Sequence, residues 1–106
     1  PLLTPEVLQA LAALETDAAR DTFFDRHPEF VEDATVTGLA EAVRDRIRID
    51  VHQAAALADA ALLVARRLAS PSASAWALRA KANTRWHLHE LREAVELFEQ
   101  AAQRFE

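Results

Sequence analysis

Between residues 75 and 105 the chain reads AWALRAKANTRWHLHELREAVELFEQAAQRF, with apolar residues recurring at helical spacing on both sides of one short interruption. That periodicity predicts two amphipathic helices folded back on each other as an antiparallel pair. In the first, Trp76, Arg79, Asn83, Trp86 and His87 follow at steps of three, four, three and one, which places them on one stripe. In the second, Leu91, Ala94, Val95, Leu97, Phe98, Ala101 and Ala102 form the apolar face, with Glu93, Glu96, Glu99, Gln100 and Gln103 between them. A helix so patterned must lie against a core.

The rest of the chain offers the backbone little besides helix. One glycine and four prolines leave few breakers, and alanine, leucine, arginine and glutamate favour helix in nearly every window. Start signals recur along the chain. Thr4-Pro5-Glu6 joins a hydroxyl cap, a first-turn proline and an acid near the positive end of the dipole, opening a helix to about Glu15. Thr16 caps a second helix to about Arg26, closed by His27-Pro28. A short helical turn follows through Phe30 and Val31, and Glu32, Asp33 and Thr35 offer caps for a helix ending near Ile49. Asp50-x-x-Gln53 opens an alanine-rich helix, Val51 to Ala69, which is expected to be the most buried. Ser70-Pro71 starts the tryptophan helix, and the last begins beside Glu90. These signals predict a wholly helical fold of five main helices, with antiparallel neighbours from about Thr35 onward.

A helix pair also precedes residues 70–106. Shifting the chain by forty residues lays Ala40 on Ala80, Ala42 on Ala82, Ala54 on Ala94, Leu57 on Leu97 and Ala61 on Ala101, and lays Asp50-x-x-Gln53 on Glu90-x-x-Glu93. Cap and core coincide together, the signature of an internal repeat. Ala94-x-x-x-Phe98 with Ala101 after it, and the small Ala82 twelve residues before Ala94, resemble a tetratricopeptide repeat. In that family small residues stand where two helices cross closely. The chain departs from the pattern at Lys81, where leucine is usual, at His89, where the turn favours glycine, and at Trp86, one place late.

Residues 16–31, through His27-Pro28-Glu29-Phe30, are similar to the helical lead-in before such repeats in large bacterial multidomain proteins, some with caspase-like CHAT protease domains. The resemblance implies an all-α short solenoid of antiparallel helix-pair repeats in a single domain, 1–106. An N-terminal helical cap would span 1–33, a first helix pair 34–69 and a second 70–106. The stripe on the tryptophan helix would then face a concave groove for a peptide or partner helix. Groove residues are expected at Trp76, Arg79, Asn83, Trp86, His87 and, one repeat earlier, Arg46. Arg79 suits a carboxylate, Asn83 a peptide amide, and Trp86 offers a flat apolar face. Packing of Trp76 and Trp86 against the first pair is the competing reading. The earlier stripe, Val36, Leu39, Val43, Arg46 and Ile47, is apolar enough to want a cover, which the leucine face of the first helix or Phe23 and Phe24 would supply.

Other chemistries are poorly represented. The chain has no cysteine, which excludes a disulfide framework or a thiolate zinc site. His87 and His89, two residues apart, point to opposite sides of a helix, so no metal or other cofactor is expected. Serines fall only at Ser70, Ser72 and Ser74 and the one glycine is Gly38, so no nucleophile set or phosphate loop can be nominated and no enzyme activity is expected. A formal charge of −5 works against nucleic acid as a partner. The trio Arg44, Arg46 and Arg48 does not form one stripe, because i and i+2 diverge on a helix. No apolar run reaches the ~20 residues a bilayer requires, so a cytoplasmic protein without membrane contact is expected.

The chain starts at Pro1 without methionine and stops at Glu106 inside an amphipathic pattern, so a piece of something longer is expected. The last helix is then expected to self-associate as a homodimer through Leu97, Phe98, Ala101 and Phe105. The expected function is a protein-interaction module; the alternative is a structural or oligomerising helical domain without a ligand groove.

Overall fold

A computed structural model of the protein describes residues 1–105. Its elements are α1 (Pro5–Ala12), α2 (Asp17–Arg26), a 3-10 turn (Pro28–Phe30), α3 (Asp33–Arg46), α4 (Val51–Leu68), α5 (Pro71–His87) and α6 (Leu91–Phe105). Among the described residues the fold is all-helical, with six α-helices where five main ones were expected. Among the described residues no helix is long and apolar enough to cross a membrane.

The caps follow from side chains that satisfy first-turn N–H groups. Thr4 Oγ1 accepts from the Val7 amide at 3.3 Å and Thr16 Oγ1 from Ala19 at 3.1 Å. Asp50 Oδ1 accepts from both His52 and Gln53 at 3.1 Å, and Ser70 Oγ accepts from Ala73 at 3.2 Å. Gln53 does not reach back to close a reciprocal box; its Oε1 accepts from Arg46 Nη1 at 2.6 Å, which ties α4 to the end of α3. α1 ends at Ala12, short of the expected Glu15, and the Leu14 carbonyl accepts from Arg20 Nη2 at 2.8 Å.

α4 is the hub. It packs against α1, α2, α3 and α5, and Ala54, Ala56, Leu57, Ala58, Ala60, Ala61, Leu62, Val64 and Ala65 are all buried. Six of those nine are alanines, and a small side chain lets a neighbouring backbone come close from several sides. α3 and α5 also pack on each other, whereas α5 is the main partner of α6. Short connections between neighbours in contact make α3 to α6 an up-and-down series. α4 and α6 start forty residues apart, at Val51 and Leu91. All five residue pairs matched by the forty-residue shift are buried in both copies.

The N-terminal third packs mainly on α4, where α1 and α2 make most of their contacts, and Val36, Leu39, Val43 and Ile47 are buried in the same core. Leu11 and Phe24 are fully buried in the same continuous core. Leu3 does reach α3: a Cβ added to Gly38 would stand 2.7 Å from Leu3 Cδ1, so the chain's one glycine makes room for that side chain. Arg67, near the end of α4, clamps α2 through Asp21 Oδ1 and Asp25 Oδ1, both at 2.9 Å. Its guanidinium is held above its ordinary pKa, chiefly by the hydrogen bond to Asp21.

The α5–α6 turn closes with the Glu90 N–H donating to the Arg85 carbonyl at 2.9 Å and the His89 N–H donating to the Trp86 carbonyl at 3.1 Å. This is a Schellman closure, which needs a left-handed residue. His89 supplies it at φ 62°, so a histidine occupies a conformation that favours glycine.

Two stability outcomes are expected. His89→Gly relieves left-handed strain and raises stability by about 0.5–1 kcal/mol in urea unfolding. Ala61→Leu, at a fully buried site on the hub, overpacks the core and costs about 1–3 kcal/mol in the same measurement.

Candidate functional site

Between α3 and α5 the surface opens into a cleft of about 520 Å3. From the α3 side come Ala40, Val43, Arg44, Ile47 and Arg48; from α5 come Trp76, Arg79, Ala80, Asn83 and His87. Both sets follow helical spacing, i, i+3, i+4, i+7 and then i+8 or i+11; α5 turns one continuous stripe to the opening, while Ala40, Val43 and Arg44 come from α3 and Ile47 and Arg48 from the turn that follows it. No described residue of α1, α2 or α6 lines it. The volume is within the usual range for ligand clefts, ~300–1,000 Å3.

The floor is apolar: Ala40, Val43, Ile47 and Ala80 are buried. The polar groups stand around it. Arg44, Arg48 and Arg79 are exposed and Asn83 is half-buried. None of the three arginines is within ion-pair distance of a described acidic residue, in contrast with Arg20, Arg67, Lys81 and Arg85, which all hold carboxylates. No described Asp or Glu belongs to the lining. Arg44 and Arg48 stand one turn apart with Arg79 on the facing helix, so the cleft carries a positive field on a chain of net charge −5. His87 lies at one end, its Nδ1 2.9 Å from the Asn83 carbonyl oxygen.

Of the six groove residues expected from sequence, the structure brings Trp76, Arg79, Asn83 and His87 together here. Trp76 is half-buried and packs against the core while also lining the cleft. Trp86 does not line it; 52% exposed, it stands on the flank of α5 towards the α6 turn. Arg46 points away, held by Gln53. Under the forty-residue shift Arg46 falls on Trp86, and both lie outside the lining, whereas Ala40 and Ala80, Val43 and Asn83, and Ile47 and His87 line the cleft as matched pairs. The trio Arg44, Arg46 and Arg48 forms no single stripe in the sequence, yet the pair without Arg46 is spaced i, i+4 and lines the cleft.

The expected self-association residues also separate. Leu97 and Ala101 are buried in the core and are not available to a second chain. Phe98 is half-buried, and the Phe105 side chain lies outside the described residues. The large apolar side chains that α6 exposes among the described residues are Leu91 and Val95, at 48% and 47%.

No protein-family model, curated protein or solved structure matches the chain.

Because the cleft arginines are exposed and hold no carboxylate, Arg44→Ala, Arg48→Ala and Arg79→Ala should each shift stability by no more than about 0.5 kcal/mol. Thermal melts check this.

Proposed function

We propose that this chain is a protein-interaction module that holds a short acidic, amphipathic segment of a partner in the α3–α5 cleft. The observation that carries it is the pairing of three arginines free of carboxylates with a buried apolar floor and no acid in the lining. An arginine fork meets a carboxylate with two parallel N–H donors, while Val43, Ile47 and Trp76 receive apolar side chains between those contacts. Asn83 supplies both a donor and an acceptor for a peptide amide.

A phosphate backbone fits less well. It would use the arginines but leave the apolar floor unfilled, and the acidic remainder of the surface repels a long polyanion. The forty-residue spacing of helix pairs, with alanines at the crossings, supports a tetratricopeptide-like scaffold for such a groove. In that arrangement the work is recognition, with any chemistry left to other proteins.

A helical peptide carrying Leu and Glu on one face serves as the probe, with a Gln-for-Glu version and a single-stranded oligonucleotide beside it. The acidic peptide should bind, with affinity falling about tenfold in Arg44→Glu and again in Arg79→Glu, as expected for losing charge-assisted bonds of about 1.5–3 kcal/mol. Equal binding of the Gln peptide would refute the carboxylate assignment, and tighter binding of the oligonucleotide would refute a protein partner.

A further inference from the structure

α6 carries two apolar stripes rather than one. Ala94, Leu97 and Ala101 are buried, and α5 is the helix they pack on. Leu91, Val95, Phe98 and Ala102 follow at steps of four, three and four, a separate stripe rotated by roughly 100° from the first. Leu91, Val95 and Ala102 are exposed and Phe98 is half-buried. Alternating steps of four and three define the seam of a coiled coil. Assigning Val95 and Ala102 to position a and Leu91 and Phe98 to position d makes Arg92 and Glu99 successive e positions. The g positions fall on the buried Ala94 and Ala101, so only the e side is open to a partner helix.

That one-sided flank selects the occupant. In a parallel pair each e residue faces a g residue of the other helix, and here g is alanine covered by α5. In an antiparallel pair e faces e. A second copy of α6, layered so that Val95 meets Phe98 of the other chain, sets Arg92 against Glu99 of the other chain, twice by symmetry. Both side chains are exposed, and neither forms an ion pair with a described residue within its own chain. The stripe is therefore complementary to itself in charge as well as in apolar register.

We propose that α6 is a self-association surface, pairing antiparallel with α6 of a second copy through Leu91, Val95, Phe98 and Ala102, with Arg92–Glu99 pairs across the seam. This is independent of the α3–α5 cleft, to which α6 contributes no described residue. An interface of this length is small, so the dimer is weak, with Kd on the order of 100 μM.

Sedimentation equilibrium of the full chain between about 10 μM and about 1 mM brackets that value. The average mass should rise above the 11.8 kDa of one chain, and Val95→Glu should hold it there. Arg92→Glu and Glu99→Arg should each weaken the dimer about fivefold, and the two together should restore it to within about twofold of the original. Circular dichroism confirms that each variant stays folded, and a variant that does not is replaced by Leu91→Gln. A chain still monomeric at the highest concentration, a dimer that survives Val95→Glu, or a double variant no better than either single one overturns the proposal.

Discussion

Close approach of helices through alanine is the constraint on which the rest of this structure depends. α4 has neighbours on most of its circumference, and the buried alanines let those helices approach closely. Larger side chains would bury more area each, ~1.5–3 kcal/mol for a full Leu or Val, but would hold those helices apart. On α4 the apolar volume comes from Leu57, Leu62 and Val64, and the proximity comes from the alanines. The one acid on α4, Asp59, is paired on both sides, 3.4 Å from Lys81 Nζ on α5 and 3.8 Å from Arg20 Nη2 on α2. Arg20, only 5% exposed, is further held by Asp17 and the Leu14 carbonyl. A buried guanidinium needs such partners because an unpaired one would cost several kcal/mol.

The cleft is a by-product of the same packing. α3 and α5 both lean on α4 and touch each other, and where they part, the short side chains Ala40 and Ala80 leave the floor low. Longer residues one turn away on each helix then form rims. Those rim residues are mostly basic, and the chain's carboxylates pair elsewhere, on the α2–α4 side and at the α5–α6 turn, where Arg85 Nε stands 3.3 Å from Glu93 and 3.4 Å from Glu90. Segregation of charge therefore separates a stapled side from an open one: the staples tie helices together, and the cleft keeps its arginines available.

Much of the secondary structure was legible from local chemistry. Thr4, Thr16, Asp50 and Ser70 each cap the helix they were expected to cap, since an N-cap is decided by a side chain and an amide two or three residues apart. The burial of α4 could likewise be read from its nearly unbroken apolar surface. The forty-residue correspondence predicted which alanines and leucines enter the core in both helix pairs, because a position on a helix face is fixed by periodicity alone.

Tertiary structure decided what local chemistry leaves open. Sequence placed Trp76, Arg79, Asn83 and His87 on one stripe; only the approach of α3 joined them to Arg44 and Arg48, while Arg46 is held by Gln53 and Trp86 lies outside the lining. It seated α1 and α2 mainly on α4, since the order in which apolar faces meet is not written in the periodicity of any one helix. It also separated the buried Ala94, Leu97 and Ala101 of α6 from the exposed Leu91 and Val95, with Phe98 half-buried against the core, although all look alike in the sequence. Periodicity says which residues share a face, a property of one helix. Whether that face is core, cleft or free surface depends on where neighbouring helices stop, and that is set by the sizes of side chains far apart in the chain.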